Sequence, residues 1–462
     1  MFLRYALLLS FLLPALAFAT HNRGGEIIVR AGEGRTACAT IITFTETAQT
    51  EVDRESLDLD WGDGTVETLI RTAKREVAPG IQRNEYSRCH AYPTFGRYVL
   101  SFADVNRVRN VRNLPQSVNI PFSVQTTFTL LNAATAGGAN STPVFTVDPV
   151  GISCVGSAWT HAAGAYDPDG DSLSFHFTVP TYGRDQEVRD FVLPHRVAGG
   201  NGDLTIDPRS GQITWDAPAI AGEYTLAFAV VAHRAGVPLD TVVRDLTIFV
   251  DDCQNAPPVI DVHAQDYQVA PGETLELAVT ATGGAAEAQA VTLTAHGLPL
   301  GLPESPATFT DSREKAVATT VRKTLRWTPT AAHARAQPYL LVLQASDDGD
   351  PRPAGMRTLR TVRLYVTAQA TEGPSATHDR VPESLPVILY PNPAAGHVTL
   401  ALPTDGHPYS ASLYGPTGRV ARTWRGISGS SSLSLHRLPA GVYALVVRDG
   451  DRIAARRRLV VR

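Results

Sequence analysis

The sequence predicts an all-β protein made of several β-sandwiches in series, ending in a small C-terminal β-sandwich. Apolar and polar residues alternate in many short stretches, which is the pattern of strands that bury one face. Gly, Pro and Asp clusters separate these stretches, and the chain holds 37 Gly and 32 Pro. Stretches with the period of an amphipathic helix are absent from the sequence.

Six stretches carry the alternation most clearly. Each places an apolar side chain at every second position and a polar or small one between, so that one face can pack against a second sheet. They are residues 98–102, 173–179, 224–230, 246–250, 362–366 and 398–402.

Composition narrows the class of protein. Hydrophobic residues make up 43% of the 462 residues, which excludes an intrinsically disordered chain. The formal net charge of −4 gives no basic excess, so nucleic acid is not an expected partner. At roughly 100–200 residues per domain, this length predicts three or four domains.

The first 19 residues have the features of a signal peptide. Arg4 provides a positive start, residues 5–18 are mostly apolar, and Ala17-Phe18-Ala19 fits the small-x-small cleavage rule. The alternative is an uncleaved anchor, but the apolar run is short and Pro14 interrupts it. We therefore expect export through the periplasm, with no transmembrane segment after cleavage.

Export makes disulfides the expected state of the four cysteines. Four cysteines allow three pairings, and the sequence has no Cys-x-x-Cys zinc motif. Pairing Cys38 with Cys89 and Cys154 with Cys253 is preferred, because each bridge then closes a loop within one predicted domain.

Polar and Pro-rich segments divide the chain. They predict a first domain at 20–138, a second at 139–253, a third at 254–367 and a linker at 368–386. A C-terminal module then occupies residues 387–462.

The first domain has two motifs, Trp61-Gly62-Asp63-Gly64 and a later H-x-Y-x-x-x-G-x-Y that starts at His90. Together they resemble a polycystic-kidney-disease-type (PKD) repeat, a small immunoglobulin-like sandwich. The segment 21–27, His-Asn-Arg-Gly-Gly-Glu-Ile, resembles the mature start of large Bacteroidota surface proteins. Asp60, Trp61 and Asp63 are either a ligand site or, as we favour, a turn and its core anchor.

The second domain resembles cadherin-like and immunoglobulin-like modules, on the run from Tyr166 to Leu173 and on Trp215 and Tyr224. Asp167, Asp169 and Asp171 lie on one short loop and are candidate ligands for calcium, the one ion suggested. The other interpretation is an ordinary Asp-rich turn. Trp327 and Tyr339 repeat the pattern, so a second immunoglobulin-like sandwich is predicted in the third domain.

The C-terminal module resembles the type A C-terminal sorting domain of the Bacteroidota type IX secretion system. The resemblance rests on the Tyr-Pro-Asn-Pro opening, a Gly pair, L-P-x-G-x-Y and a basic-apolar end. It implies a sorting signal carried by Pro391, Asn392, Pro393, Gly418, Gly441, Tyr443 and Arg458. The implied partner is the secretion translocon, and the implied location is outside the cell or on its surface.

Catalytic signatures such as H-E-x-x-H and G-x-S-x-G are missing from the sequence. The expected function is therefore that of a non-enzymatic surface protein: an adhesin, a spacer or a matrix component, with an extracellular glycan or protein as ligand. The alternative is a glycan-binding surface protein or an accessory module of polysaccharide breakdown.

Overall fold

A computed structural model describes most of the chain, and β-strands dominate it. Within the described residues there is no α-helix, only short 3-10 turns between strands, which confirms the all-β prediction. The described residues are 22–47, 54–105, 107–134, 136, 138–253, 255–284, 290–312, 319–349, 355–367, 388–390, 394, 396–402, 408–415, 420–428, 430–450 and 452–462. The predicted signal peptide and linker lie outside them. The chain forms two compact units, 1–369 and 370–462.

The first sandwich comprises seven strands that pair in the order β1-β2-β5-β4-β3-β6-β7. Its core contains Trp61, Tyr86, Tyr98 and Phe128, all nearly inaccessible to solvent. The strands are β1 (Asn22–Ala31), β2 (Thr36–Glu46), β3 (Ser56–Asp60), β4 (Val66–Ala78), β5 (Ile81–Ala91), β6 (Gly96–Asp104) and β7 (Phe122–Leu130).

The second sandwich packs a sheet of β10, β15 and β16 on a smaller sheet of β13, β14 and β9. Trp159, Trp215 and Phe228 lie between them. The strands are β8 (Gly151–Cys154), β9 (Trp159–His161), β10 (Ser172–Thr178), β11 (Thr181–Gly183), β12 (Gln186–Glu187), β13 (Leu204–Ile206), β14 (Ile213–Trp215), β15 (Gly222–Arg234) and β16 (Val237–Asp251).

The third sandwich has two four-stranded sheets, β17-β19-β22-β21 and β18-β24-β23-β20. In both of these sandwiches a short strand pairs in parallel with the last strand, β8 with β16 and β18 with β24. The strands are β17 (Val259–Val262), β18 (Asp266–Val269), β19 (Leu275–Thr282), β20 (Val291–His296), β21 (Thr308–Asp311), β22 (Thr320–Trp327), β23 (Tyr339–Asp347) and β24 (Arg357–Val366).

The C-terminal unit is a small sandwich of a three-stranded and a four-stranded sheet, β25-β26-β29 and β28-β27-β30-β31. Val398, Leu413, Leu445 and Leu459 are buried between them. The strands are β25 (Ile388–Tyr390), β26 (His397–Ala401), β27 (Tyr409–Tyr414), β28 (Val420–Ile427), β29 (Ser430–Ser434), β30 (Gly441–Asp449) and β31 (Arg452–Val461).

The first two sandwiches have separate hydrophobic cores but share a strand. β16 pairs with β15 in the second sandwich and also with β1 and β7 of the first. Gly24 lies opposite Leu246, where a Cβ atom would come within 2.8 Å of the Asp245 carbonyl oxygen. Gly25 lies opposite Asp245 and has the same restriction towards Ile42 O at 2.9 Å. The sheet therefore continues across the boundary predicted at 138/139, and Gly24 allows β1 to approach β16 closely.

Two buried ion pairs lie at this contact. In one of them β16 contributes the arginine, and in the other it contributes the aspartate. Arg244 donates to both carboxylate oxygens of Glu26 at 2.6 Å, and both side chains are almost fully buried. On the next residue of β16, Asp245 accepts from Arg107 at 2.6 Å, again with both side chains buried. Since consecutive residues of a strand point to opposite faces, the two pairs lie on opposite sides of the sheet. We call this group of four residues the seam.

Each arginine of the seam also has further contacts with the protein. Arg244 donates to Val147 O at 2.6 Å and lies over the Phe145 ring at 4.1 Å from its centroid. Arg107 donates to Thr181 O at 2.8 Å. These contacts replace part of the lost hydration of a buried charge, whereas removing one partner would leave the other charge uncompensated.

Both predicted disulfides are present. Cys38 and Cys89 face each other on β2 and β5, and Cys154 at the end of β8 bonds to Cys253 just after β16. The second bridge therefore ties the parallel strand β8 to the shared strand. The preferred pairing from the sequence is confirmed.

Breaking one ion pair of the seam should destabilise the first two sandwiches, because the remaining charge stays buried. Glu26→Gln removes the carboxylate charge and leaves the Arg244 charge buried, so we expect a loss of about 3–5 kcal/mol in the free energy of unfolding. Urea denaturation of the mature chain, followed by intrinsic fluorescence, measures the loss.

Glu55→Gln is the matched control, because Glu55 pairs with Arg71 but is 79% exposed. It should change the unfolding free energy by less than about 1 kcal/mol. Equal effects of the two substitutions would contradict the role assigned to the seam.

Candidate functional site

The two motifs of the first sandwich come together around Trp61. The His90 ring stacks on Trp61 with centroids 4.7 Å apart, and the Tyr92 hydroxyl donates to Trp61 O at 3.3 Å. His90 Nε2 lies 2.8 Å from Asp63 Oδ2. Gly62 has a φ of 84° and passes so close to Val99 that a Cβ would lie 2.5 Å from its carbonyl oxygen. The motif is therefore a packed unit that joins the β3–β4 turn to the end of β5.

The charges of this turn are satisfied within the chain. Burial raises the pKa of Asp63, but hydrogen bonds from His90 and the Thr65 backbone more than offset this and hold the pKa below its usual value. Asp60 accepts from Gly62 N and from Arg184. Trp61 Nε1 donates to Glu67 at 2.8 Å. Asp60, Trp61 and Asp63 thus have the contacts of a turn and its core anchor.

The three aspartates predicted as calcium ligands do share one loop, but each has a protein partner. Asp167 Oδ1 accepts from the backbone N–H groups of Asp169 and Asp171 at 2.9 and 3.1 Å. Asp171 accepts twice from Arg234 at 2.8 Å. Asp169 Oδ2 accepts from Ser141 N.

One carboxylate oxygen of this loop lacks a partner. Asp167 Oδ2 is buried with no hydrogen bond from the described residues. Asp167 lines a cavity of about 30 Å³, next to Asp171, Arg209 and Arg335. A cavity of that size can hold a water molecule. Burial raises the pKa of Asp167 to about 7, and the neighbouring Asp171 charge adds to the shift.

This donor set does not favour a divalent cation. The guanidinium of Arg234 occupies Asp171, and two further arginines border the cavity. Across the described part of the chain, no three His, Cys, Asp or Glu side chains are arranged to hold a metal ion. Calcium at Asp167, Asp169 and Asp171 stays a prediction that the geometry does not support.

Part of the predicted sorting signal can be located. Gly441 begins β30, and the buried Tyr443 donates through its hydroxyl to Pro439 O at 2.8 Å. Arg458 lies in β31, opposite Ala444. Ala394 N donates to Val460 O, and Arg462 N donates to Ala394 O. Residues 391–393 and Gly418 lie outside the described residues. The beginning and the end of the module are therefore bonded to each other.

The Tyr443 hydrogen bond recurs in every sandwich. In each, a tyrosine near the start of a long core strand donates to a carbonyl oxygen four or six residues earlier, which is the arrangement called a tyrosine corner. The pairs are Tyr98 with Thr94, Tyr224 with Ile220, Tyr339 with His333, and Tyr443 with Pro439.

The corners of the second and third sandwiches also share a tryptophan. Trp215 meets Tyr224 edge to face at 4.9 Å, and Trp327 meets Tyr339 in the same way at 5.0 Å. Each indole N–H donates to the carbonyl oxygen of an upstream loop residue. The repetition noticed in the sequence thus corresponds to one packing unit used twice.

The seam residues were not predicted from the sequence; they are Glu26, Arg107, Arg244 and Asp245. The sequence feature that could have indicated a buried ion pair is Arg244-Asp245 in the middle of β16, where the flanking strand residues are apolar. Charges in such a position must be paired when they are buried. Their partners could not be found in this way, since Glu26 is 218 residues from Arg244.

Comparison with known proteins identifies the C-terminal unit. Residues 388–462 match the family of secretion system C-terminal sorting domains. The chain therefore carries a type IX sorting domain at its C-terminus, and it is a secreted or cell-surface protein. The sorting-domain resemblance and the predicted location are confirmed. No helix in the described part of the chain is long and apolar enough to cross a membrane.

The solved structures found are distant. They include the surface layer protein SbsC, domains 4–9 (16% identity, 69% of this chain, 47% of that one, TM-score 0.16). The Escherichia coli adhesin FdeC matches at 16% identity over 69% of this chain and 96% of its own, with TM-score 0.16. Fibronectin(III)-like modules of Clostridium thermocellum CbhA match at 14% over 51% and 100%, with TM-score 0.16. Among curated proteins no match is found. These likenesses are too weak to indicate a ligand.

The raised pKa of Asp167 should make stability fall as pH rises. Its pKa is about 7 in the folded chain and close to 4 when unfolded, so only the folded state holds the proton between these values. Asp167→Asn mimics the protonated acid and should raise the melting temperature at about pH 8, while leaving it unchanged at about pH 4. Thermal unfolding at a series of pH values tests this.

Asp261→Asn is the control, since it removes an exposed carboxylate of the third sandwich. It should leave the native pH profile in place. Asp240, whose pKa burial raises to about 6, adds a slope of the same sign that both variants retain. An Asp167→Asn profile parallel to the native one at every pH would contradict the assignment.

Proposed function

We propose that this chain is a non-enzymatic surface protein, delivered by the type IX secretion system and acting as an adhesin, spacer or matrix component. The observation that carries the proposal is the match of residues 388–462 to a sorting domain. In addition, the C-terminal unit has its own buried core, which fits a signal that is recognised as a folded module. Attachment to the cell surface or release from it both follow from such a signal.

The remaining sandwiches fit a role in which rigidity and exposed loops matter. The seam and the disulfides stiffen the first two sandwiches, and loops carried on rigid scaffolds are where recognition residues concentrate. We propose that the first sandwich is PKD-like and that the second and third are cadherin-like or immunoglobulin-like. The packed Trp61–His90 unit and the repeated Trp–Tyr corners support these finer assignments.

We also propose that the protein has no catalytic activity. Strongly perturbed pKa values often indicate active sites. Here burial produces them at Asp167, at Asp240 and at His161, whose pKa falls to about 3. Each of these groups is at most 4% exposed. Structural burial is therefore enough to account for the shifts.

Glycan binding is the second candidate function. A flat platform of several aromatic rings has little support, since Phe95 and Tyr182 are the two aromatic side chains with large exposure in the described part of the chain. A groove next to Tyr182 instead offers a single exposed aromatic ring beside several polar side chains.

Removing the sorting domain should stop delivery. A chain truncated after residue 387, expressed in a bacterium with a type IX system, is expected to accumulate in the periplasm instead of reaching the surface. Protease accessibility on intact cells and fractionation by immunoblot measure the distribution.

A fusion provides the control for misfolding. Residues 388–462 placed behind a signal peptide and a folded reporter should carry the reporter to the surface. Normal surface delivery of the truncated chain, or a reporter that stays in the periplasm, would reject the sorting role.

A further inference from the structure

A groove of about 640 Å³ lies between two loops of the first and second sandwiches. One wall comes from the segment that joins β6 to β7, and the other from the β11–β12 hairpin and the residues after it. Its volume is in the range of small-molecule and oligosaccharide sites. The described residues of the β6–β7 connection, 105 and 107–121, contain one short 3-10 turn and no strand. Long irregular loops in compact domains are usually functional.

The loops that form the groove are held in place from beneath. Val108, Val111, Leu114 and Val188 form a small buried cluster of their own, separate from the main cores. The buried Asn113 donates to Val192 O and Thr225 O at 2.8 Å and accepts from Thr225 N at 2.9 Å. The two walls are therefore tied to each other and to β15, so the groove is formed before any ligand arrives.

Five polar side chains along the groove are free to contact a ligand. Gln116, Asn119, Tyr182, Arg189 and Asp190 line it, and all are exposed. None of them has a side-chain hydrogen bond or ion pair with the described part of the chain. They offer two amides, a hydroxyl, a guanidinium and a carboxylate.

Backbone strain is concentrated in the same walls. Gln116 has a φ of 55° and Asp190 a φ of 61°, and both are left-handed conformations that L-residues with side chains rarely adopt. Asp185, in the hairpin that carries Tyr182, has a φ of 56°. Three such residues beside one groove indicate that its backbone is strained, as is common at binding sites.

We propose that this groove binds a neutral oligosaccharide. The exposed Tyr182 ring, at 39% accessibility, can lie against the apolar face of a sugar ring. Amide, guanidinium and carboxylate groups can pair with adjacent hydroxyls, accepting and donating at once. The single Arg and single Asp balance in charge, so the groove suits a ligand without net charge.

A peptide ligand fits less well. Strand addition needs a free sheet edge of useful length, and the edge strand here, β12, has two residues. The groove also lacks a deep apolar pocket for an anchoring side chain, since its apolar residues are small or are shared with the buried cluster. The same groove has one carboxylate among its lining residues, whereas glycoside hydrolysis uses two, so binding is assigned without cleavage.

The test uses the purified mature chain and a panel of soluble hexaoses of β-1,4-glucose, β-1,4-mannose, β-1,4-xylose and α-1,4-glucose, measured by calorimetry. At least one should bind with a Kd between about 1 μM and about 1 mM. Tyr182→Ala should weaken that binding by about tenfold or more. The sugars should remain intact after incubation.

Phe95→Ala is the matched control. Phe95 is 40% exposed, nearly the same as Tyr182, but it lies beyond the opposite end of β6 from the groove loop. It should leave binding unchanged, and unaltered circular dichroism would show that both variants fold. The proposal is overturned if no hexaose binds at about 10 mM, if Tyr182→Ala binds as well as the native chain, or if a random hexapeptide pool displaces the sugar. Because purified protein is used, these outcomes are independent of whether residues 388–462 direct secretion.

Discussion

The pairing of β16 with two sandwiches depends on the buried charges of Arg244 and Asp245. A strand that is buried on both faces is normally apolar throughout. A shift of its pairing register by one residue would then cost little free energy, because one apolar residue would replace another. Here a slip by one residue would point Arg244 away from Glu26 and Asp245 away from Arg107. Because an unpaired buried charge is very costly, the register of β1 against β16 is fixed. Such pairs contribute more to specificity than to net stability.

This constraint explains the composition of the first described residues, 22–26. Asn22 donates to Asp104, Arg23 bonds to Glu46 and Glu223, the two glycines allow close approach, and Glu26 pairs with Arg244. A stretch that resembles a family signature in sequence thus fixes β1 within the first sandwich, through Asp104 and Glu46, and against the second, through Glu223 and Arg244. Those contacts involve residues from distant parts of the chain, so β1 can take its final place only after β16 has been made.

The sequence was a good guide to features that depend on local pattern. Alternation located the strands, the Trp–Tyr spacing identified related sandwiches, and domain-sized loops gave the right cysteine pairs. It failed where the structure depends on contacts between remote residues. Glu26 and Arg244 carry no local signal of partnership, and the groove combines Gln116 with Tyr182 from two separate loops. The aspartate loop shows the same limit, since Arg234, which pairs with Asp171, is 63 positions away in the chain.

Arginine neutralises several carboxylates of the first two sandwiches. Arg234 neutralises Asp171, Arg107 neutralises Asp245, and Arg75 and Arg83 both donate to Asp148. A planar guanidinium can satisfy both oxygens of a carboxylate and needs no supply from outside. The buried pair of Arg107 and Asp245 is also screened by salt less than an exposed pair would be. The contact between the first two sandwiches therefore depends on charges of the chain itself, Arg244 with Glu26 and Arg107 with Asp245.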